Sequence, residues 1–274
     1  MATLLLVRHA QASFFGPTYD RLTQHGRAQA RALGRHWVAA GVRPHQVVIG
    51  PLVRHRETAE LVGDEFASAG CSWPDAQVAS ELDEHQGIAV VKSVTGFGSP
   101  HDDAIHAEPA STADRESIKR EYFGKYREVL TDWALGRVSP AGMENWAEFR
   151  ARAGRGLDRL TQPVADDHVT AAFTSGGFVS AGLGHLLELS DGKVVEISFV
   201  PTPRRSAGIV DLGVPEEVVQ HVLGAQPHPR VLVDRQVQFI AVDQNVVFPC
   251  RVVGVHAEGV VGADVGGVHL AENA

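Results

Sequence analysis

Three short apolar runs, "LLLV" at 4–7, "QVVIG" at 46–50 and "VTAAFT" at 169–174, each lead through a loop into a helical pattern. This alternation restricts the fold more than any other feature. After the first run, the Thr23 hydroxyl can cap a helix whose Ala30, Leu33 and Trp37 share one face, and Gly41 and Pro44 stop it. After the second, Leu52 to Ala69 repeats the pattern with Ala59, Val62 and Phe66 and closes at Gly70. Strand and helix in alternation make a parallel sheet buried on both faces. The expected fold is therefore α/β, a three-layer α/β/α sandwich with a mainly parallel central sheet. Ligands of such sheets sit beyond the carboxyl ends of the strands, where Arg8, His9 and the Gly50 to Arg54 stretch would emerge together.

The remaining chain fits around that sheet. About 87–113 is rich in Gly, His, Asp, Ser and Pro without a sustained period, and is expected to be a loop excursion near the site. Ile118, Tyr122, Tyr126 and Val129 mark an amphipathic helix, and Trp146, Phe149, Ala153 and Leu157 mark another. Arg115, Lys119, Arg120, Lys125 and Arg127 read as the solvated face of the first. The third strand runs into Gly176 and Gly177 and should end near Arg8. These features define a domain over 1–201. The segment 202–274 is Val and Gly rich towards its end, and short edge strands and a poorly ordered tail are equally open readings.

Charge and cysteine content narrow the partners. With 274 residues, 44% of them hydrophobic, the chain can bury a large core. A net charge of −8 and an isoelectric point near 5.9 give no global attraction for nucleic acid or anionic membrane, so an anion site must be local. There is no apolar run of about 20 residues to span a bilayer and no signal-peptide pattern, so a cytoplasmic location is expected. Cys71 and Cys250 are too few for a disulfide framework, and reduced thiols are expected. His25, His36, His45, His55, His85, His101 and His106 show no metal-ligand spacing, so neither a metal nor a cofactor is expected.

"LLLVRHAQAS" resembles the Arg-His-Gly signature of the histidine phosphatase superfamily, the phosphoglycerate mutase-like proteins, with Ala10 in place of the glycine. "LTQHGRAQARALG" is similar to the family's L-T-x-x-G-x-x-Q-A segment, and "GPLVRHRETAELV" to its S-P-L-x-R-x-x-x-T-A segment. "ELDEHQG" and "ENWAEFRAR" match weaker patterns, so the resemblance covers most of 3–190 in the family's order. It implies a phosphoglycerate mutase-like fold and a phosphomonoester hydrolase acting on a small phosphorylated substrate. It also implies that His9 is the nucleophile and that Glu84 occupies the proton donor's position, with Glu81 and Asp83 as chemically similar neighbours. Arg8 and Arg54 would hold the phosphoryl oxygens, which suits their planar forks. A general acid of this kind calls for a pKa at Glu84 raised by burial or by neighbouring phosphate charge.

The sequence departs from the family's S-H-G-G pattern at "FTSGGF", where Ser175 replaces the second histidine. A hydroxyl carries no charge, and a charged donor in such a site contributes about 2.7–4 kcal/mol to transition-state stabilisation. Ser175 can still donate a hydrogen bond, and Gly176 and Gly177 at a helix start can cradle an anion. A weak phosphatase is thus the leading expectation, and restoring a histidine at 175 should accelerate it. A phosphate-ester binding or regulatory protein on the same fold is the alternative. A mutase ranks last, because the S-x-W-N pattern of phosphoglycerate mutases is missing after "VRHAQAS".

Overall fold

The computed structural model describes residues 2–13, 20–96, 112–162, 165–199, 235–243, 246–247, 250–252, 255–256 and 259–260. Strand β1, Ala2–Arg8, shows why helices must lie on both sides of the sheet. Its Leu4 and Leu6 pack into one core, and its Leu5 and Val7 into the other, because successive side chains of a strand point to opposite faces. Helices α1, Gln24–Ala39, and α2, Val53–Ser68, cover the second core with Ala30, Leu33, Trp37, Ala59, Val62 and Phe66. The Thr23 side chain caps α1 by accepting from the Gly26 amide, as the sequence indicates.

The first core lies under α3, Gly87–Thr95, α4, Thr112–Ala134, α5, Trp146–Leu160, α6, Gly176–Leu186, and α7, Asp191–Ser198. Trp133, Trp146, Phe149 and Phe178 fill it. Asn145 and Glu148 close a capping box at the start of α5, so both helix-end amides find an acceptor. Helix α3 corrects the expectation of a structureless excursion over 87–113. Its buried Gly87, Val90 and Val91 supply only one turn of apolar spacing, too short a repeat to read against the polar residues that follow. The rest of that excursion, 97–111, lies outside the described residues, as does the side chain of Ile118.

Among the described residues the strands run in the order β3, Ala76–Val78, β2, Gln46–Ile49, β4, Val169–Thr174, β1 and β5, Arg235–Asp243, with every neighbouring pair parallel. This is the expected α/β arrangement. The segment 202–274 therefore contributes a strand to the sheet, paired from Ala2↔Arg235 to Arg8↔Ala241. Two shorter strands, β6, Val246–Val247, and β7, Cys250–Val252, pair antiparallel with β5. Register then decides where the chemistry falls. Val7 and Ile49 both stand opposite Phe173, so β1, β2 and β4 end at one level. The His9 amide donates to the Thr174 carbonyl at 2.8 Å and the Gly50 amide to that of Phe173 at 2.9 Å, which ties both departing loops to β4.

No helix among the described residues is long and apolar enough to cross a membrane.

Candidate active site

Beyond those strand ends lies a cavity of about 430 Å³ lined by Arg8, His9, Arg54, Glu84, Gly176 and Gly177, with Tyr122, Tyr126 and Phe199 on its apolar side. The His9 ring is fixed at both nitrogens. Nδ1 is 2.7 Å from the Ala10 carbonyl oxygen, which can only accept, so Nδ1 carries the proton. Nε2 therefore keeps its lone pair and accepts from Arg54 Nε at 3.0 Å. Burial, and then the Arg54 and Arg8 guanidinium groups, hold the imidazole well below the ordinary value of 6.5, so it is neutral at pH 7.

Arg54 comes from the first turn of α2 and is almost fully buried. Besides His9, its Nη1 pairs with Asp20 Oδ1 at 2.8 Å and its Nη2 donates to Ser175 Oγ at 3.3 Å. Asp20 also accepts from the Val53 amide at 2.7 Å, so one carboxylate aligns both the helix start and the guanidinium. The Ala10 amide donates to Thr58 Oγ1, whose hydroxyl donates to the Arg54 carbonyl, which anchors the His9 loop to α2.

Glu84 lines the same cavity and is held by donors to both oxygens. Oε1 accepts from the His85 amide at 3.0 Å and Oε2 from the Gly177 amide at 3.3 Å. A Cβ at Gly177 would come within 2.8 Å of His85 Nε2, so only glycine lets this amide approach. Burial pushes the Glu84 carboxyl upward, but His85, Arg54 and the two amides outweigh it and leave its pKa below the ordinary 4.5. Burial, one of the two expected causes of a raised value, is therefore not enough by itself: without a bound anion, Glu84 is a carboxylate at pH 7. Glu81 instead faces Arg159 at 3.4 Å, and Asp83 accepts from the Glu84 amide at 2.8 Å; neither lines the cavity.

Arg8, His9, Arg54, Glu84 and Gly176 are thus brought together, and Arg8 Nε lies 3.3 Å from where a Cβ on Gly176 would stand. Ser175 is placed differently from the sequence expectation. It is fully buried, with Oγ engaged by Arg54 and by His55 Nε2 at 2.6 Å. Its hydroxyl is not among the groups lining the cavity. Among the described residues, no group of three or more His, Cys, Asp or Glu is arranged to hold a metal ion.

Four contributors escaped the sequence reading. Asp20 and Arg152 act across long separations; Arg152 donates to the Asp83 carbonyl at 2.9 Å and the Glu84 carbonyl at 3.3 Å while paired with Glu144, and so pins the segment that carries Glu84. His85 packs edge-on against Trp133 and Phe149. His55 did leave a signal: it falls on the same buried stripe as Ala59, Val62 and Phe66.

Residues 4–87 match the histidine phosphatase superfamily (branch 1). The match takes in Arg8, His9, Arg54 and Glu84 and bears out the family resemblance of the motifs, while Ser175 and Gly176 lie beyond it. No curated protein matches the chain. Among solved structures, the chain is similar to a mycobacterial glucosyl-3-phosphoglycerate phosphatase, at 21% identity over 70% of this chain and 82% of that one, with a TM-score of 0.44. A putative alpha-ribazole-5'-P phosphatase from Escherichia coli is also 21% identical, over 70% and 83%, with a TM-score of 0.46. For the alpha-ribazole phosphatase from Shigella flexneri the identity is 20%, over 70% and 83%, and the TM-score 0.43.

Proposed function

We propose that the chain hydrolyses a small phosphomonoester through a phosphohistidine on His9. The observation that carries this reading is the His9 ring: its proton is fixed on Nδ1 by the Ala10 carbonyl, and its Nε2 lone pair faces a cavity flanked by two arginines. A neutral, oriented imidazole is the form that attacks phosphorus.

The substrate's phosphoryl oxygens take the donors of Arg8 and Arg54, and Arg54 Nε turns from His9 Nε2 to the anion. Nε2 then forms a bond to phosphorus as the bond to the leaving oxygen breaks. Glu84 gives that oxygen its proton. A bound phosphoryl dianion repels the carboxylate and draws Arg54 away from it, which raises Glu84 from its depressed value into the range of an acid. In the second half, the Glu84 carboxylate removes a proton from water, the water oxygen attacks phosphorus, the P–N bond breaks and inorganic phosphate leaves. Positive charge comes from the arginines and the amides at the start of α6, so the reaction needs no metal. The net charge of −8 favours a small substrate recognised locally over nucleic acid or membrane.

One observation favours the second reading, a phosphate-ester binding or regulatory protein: the Ser175 hydroxyl is engaged by Arg54 and His55, and Ser175 does not line the cavity. A rapid-quench experiment with a panel of phosphomonoesters separates the two. An acid-labile, base-stable phosphoramidate should appear on His9 and be missing in His9→Ala. Robust phosphate release that is unchanged in His9→Ala refutes the phosphohistidine, and phosphate binding without turnover of any ester favours the binding protein.

A further inference from the structure

Among the described residues, His55 is the one fully buried imidazole that the proposed reaction leaves unused. It projects from α2, one residue after Arg54, with its ring centroid 5.7 Å from that of His9. Nε2 meets Ser175 Oγ at 2.6 Å, and Nδ1 lies against the Gly50 backbone, which interacts with the ring as a hydrogen-bond partner.

Two departures from the family's pattern converge on this ring. Where the S-P-L segment has serine, the chain has Gly50, and a Cβ there would come within 2.8 Å of His55 Cε1 and 2.7 Å of the Leu82 carbonyl. Where the S-H-G-G segment has histidine, the chain has Ser175, whose Oγ touches His55 Nε2. Both replacements remove atoms, and the His55 imidazole occupies space next to each.

We infer that His55 is a positioning residue of the phosphoryl site, supplying from α2 the imidazole that position 175 lacks. The inference rests on the phosphatase reading above. Hydrogen-bond direction shows how it acts. Ser175 Oγ accepts from Arg54 Nη2, and, with the Nδ1 proton directed to the Gly50 backbone, the Ser175 proton goes to the His55 Nε2 lone pair. Arg54 in turn presents Nε to His9. His55 thus orients Ser175, Ser175 orients the guanidinium, and the guanidinium faces the nucleophile. The same arrangement revises the expectation for Ser175→His: the direction taken by Ser175 Oγ is closed by His55, so a second imidazole has no room while the first is present.

The test is an exchange of the two side chains, read by vanadate affinity and by kcat and KM. His55→Ala should weaken vanadate binding about tenfold and lower kcat more than KM rises, as loss of one charge-linked hydrogen bond would. Ser175→His alone should accelerate nothing and should lower the melting temperature. The double variant His55→Ala/Ser175→His should recover vanadate affinity to within about threefold of the wild type, a non-additive result expected only of side chains that share one place. His55→Gln, which keeps a hydrogen bond to Ser175 in a side chain of similar reach, guards against a folding defect and should lie between wild type and His55→Ala. Acceleration by Ser175→His with His55 in place overturns the inference. So do unchanged vanadate affinity in a folded His55→Ala variant and a double variant no better than the worse single one. If the wild type turns over no ester, the phosphatase reading fails while the vanadate measurements still decide the role of His55.

Discussion

Replacing Arg54 by lysine asks whether the site is held by a fork or only by a charge. The guanidinium directs three donors to three partners: Nη1 to Asp20 at 2.8 Å, Nε to His9 at 3.0 Å and Nη2 to Ser175 at 3.3 Å. An ammonium keeps the positive charge but is a single point on a flexible stem, and from the first turn of α2 it can serve Asp20 or the cavity, not both. A hydrogen bond to a charged group contributes about 1.5–3 kcal/mol. Loss of the bond that Arg54 Nε would make to a phosphoryl oxygen should therefore raise the vanadate dissociation constant about 10- to 150-fold. Folding stability should fall less, by about 1 kcal/mol, because the charge stays and the Asp20 side chain, 29% exposed, can be solvated where a bond is lost. Titration calorimetry gives the first quantity and urea unfolding the second. A folded Arg54→Lys variant that binds vanadate within twofold of the wild type would refute the fork argument and leave Arg54 as a structural partner of Asp20.

Two further outcomes follow from Glu84 and the buried imidazoles. Glu84→Gln should lower kcat on alkyl phosphates by about 100-fold or more, yet hardly at all on esters with acidic phenol leaving groups, which depart without a proton; an equal loss on both classes would remove Glu84 from the donor role. His9 and His55 both have folded pKa values below 6.5, His55 at about 4 through burial and the nearby Arg54. The unfolded chain binds more protons than the folded one below pH 6.5, so their contribution to stability is complete above that value and drains away as pH falls. For His55 alone the loss between pH 6.5 and 4 is about 3 kcal/mol. Urea unfolding across that range should show a shallower pH dependence in His55→Gln, and an identical slope would refute the assignment.

Local pattern was enough to place the strands and helices that build the site. Thr23 could be read as a cap, and Ala30, Leu33 and Trp37 as a buried stripe, because a cap and a helical period are written within a few turns of chain. Arg8 and Arg54 could be expected at one end of the sheet because parallel strands share the direction in which they end. Only the tertiary structure decided what those ends touch. The strand that borders β1 opposite β4 comes from Arg235–Asp243, and its place was not written in any local period. Ser175 meets Arg54 and His55 across 121 and 120 residues, and Arg152 reaches the Glu84 carbonyl across 68. Such contacts depend on register and on the volume left by neighbours, as at Gly50 beside the His55 ring. The sign of the Glu84 shift was likewise a balance of burial against His85, Arg54 and the Gly177 amide, and that balance exists only once the sheet, α2 and α6 converge on the same few ångströms.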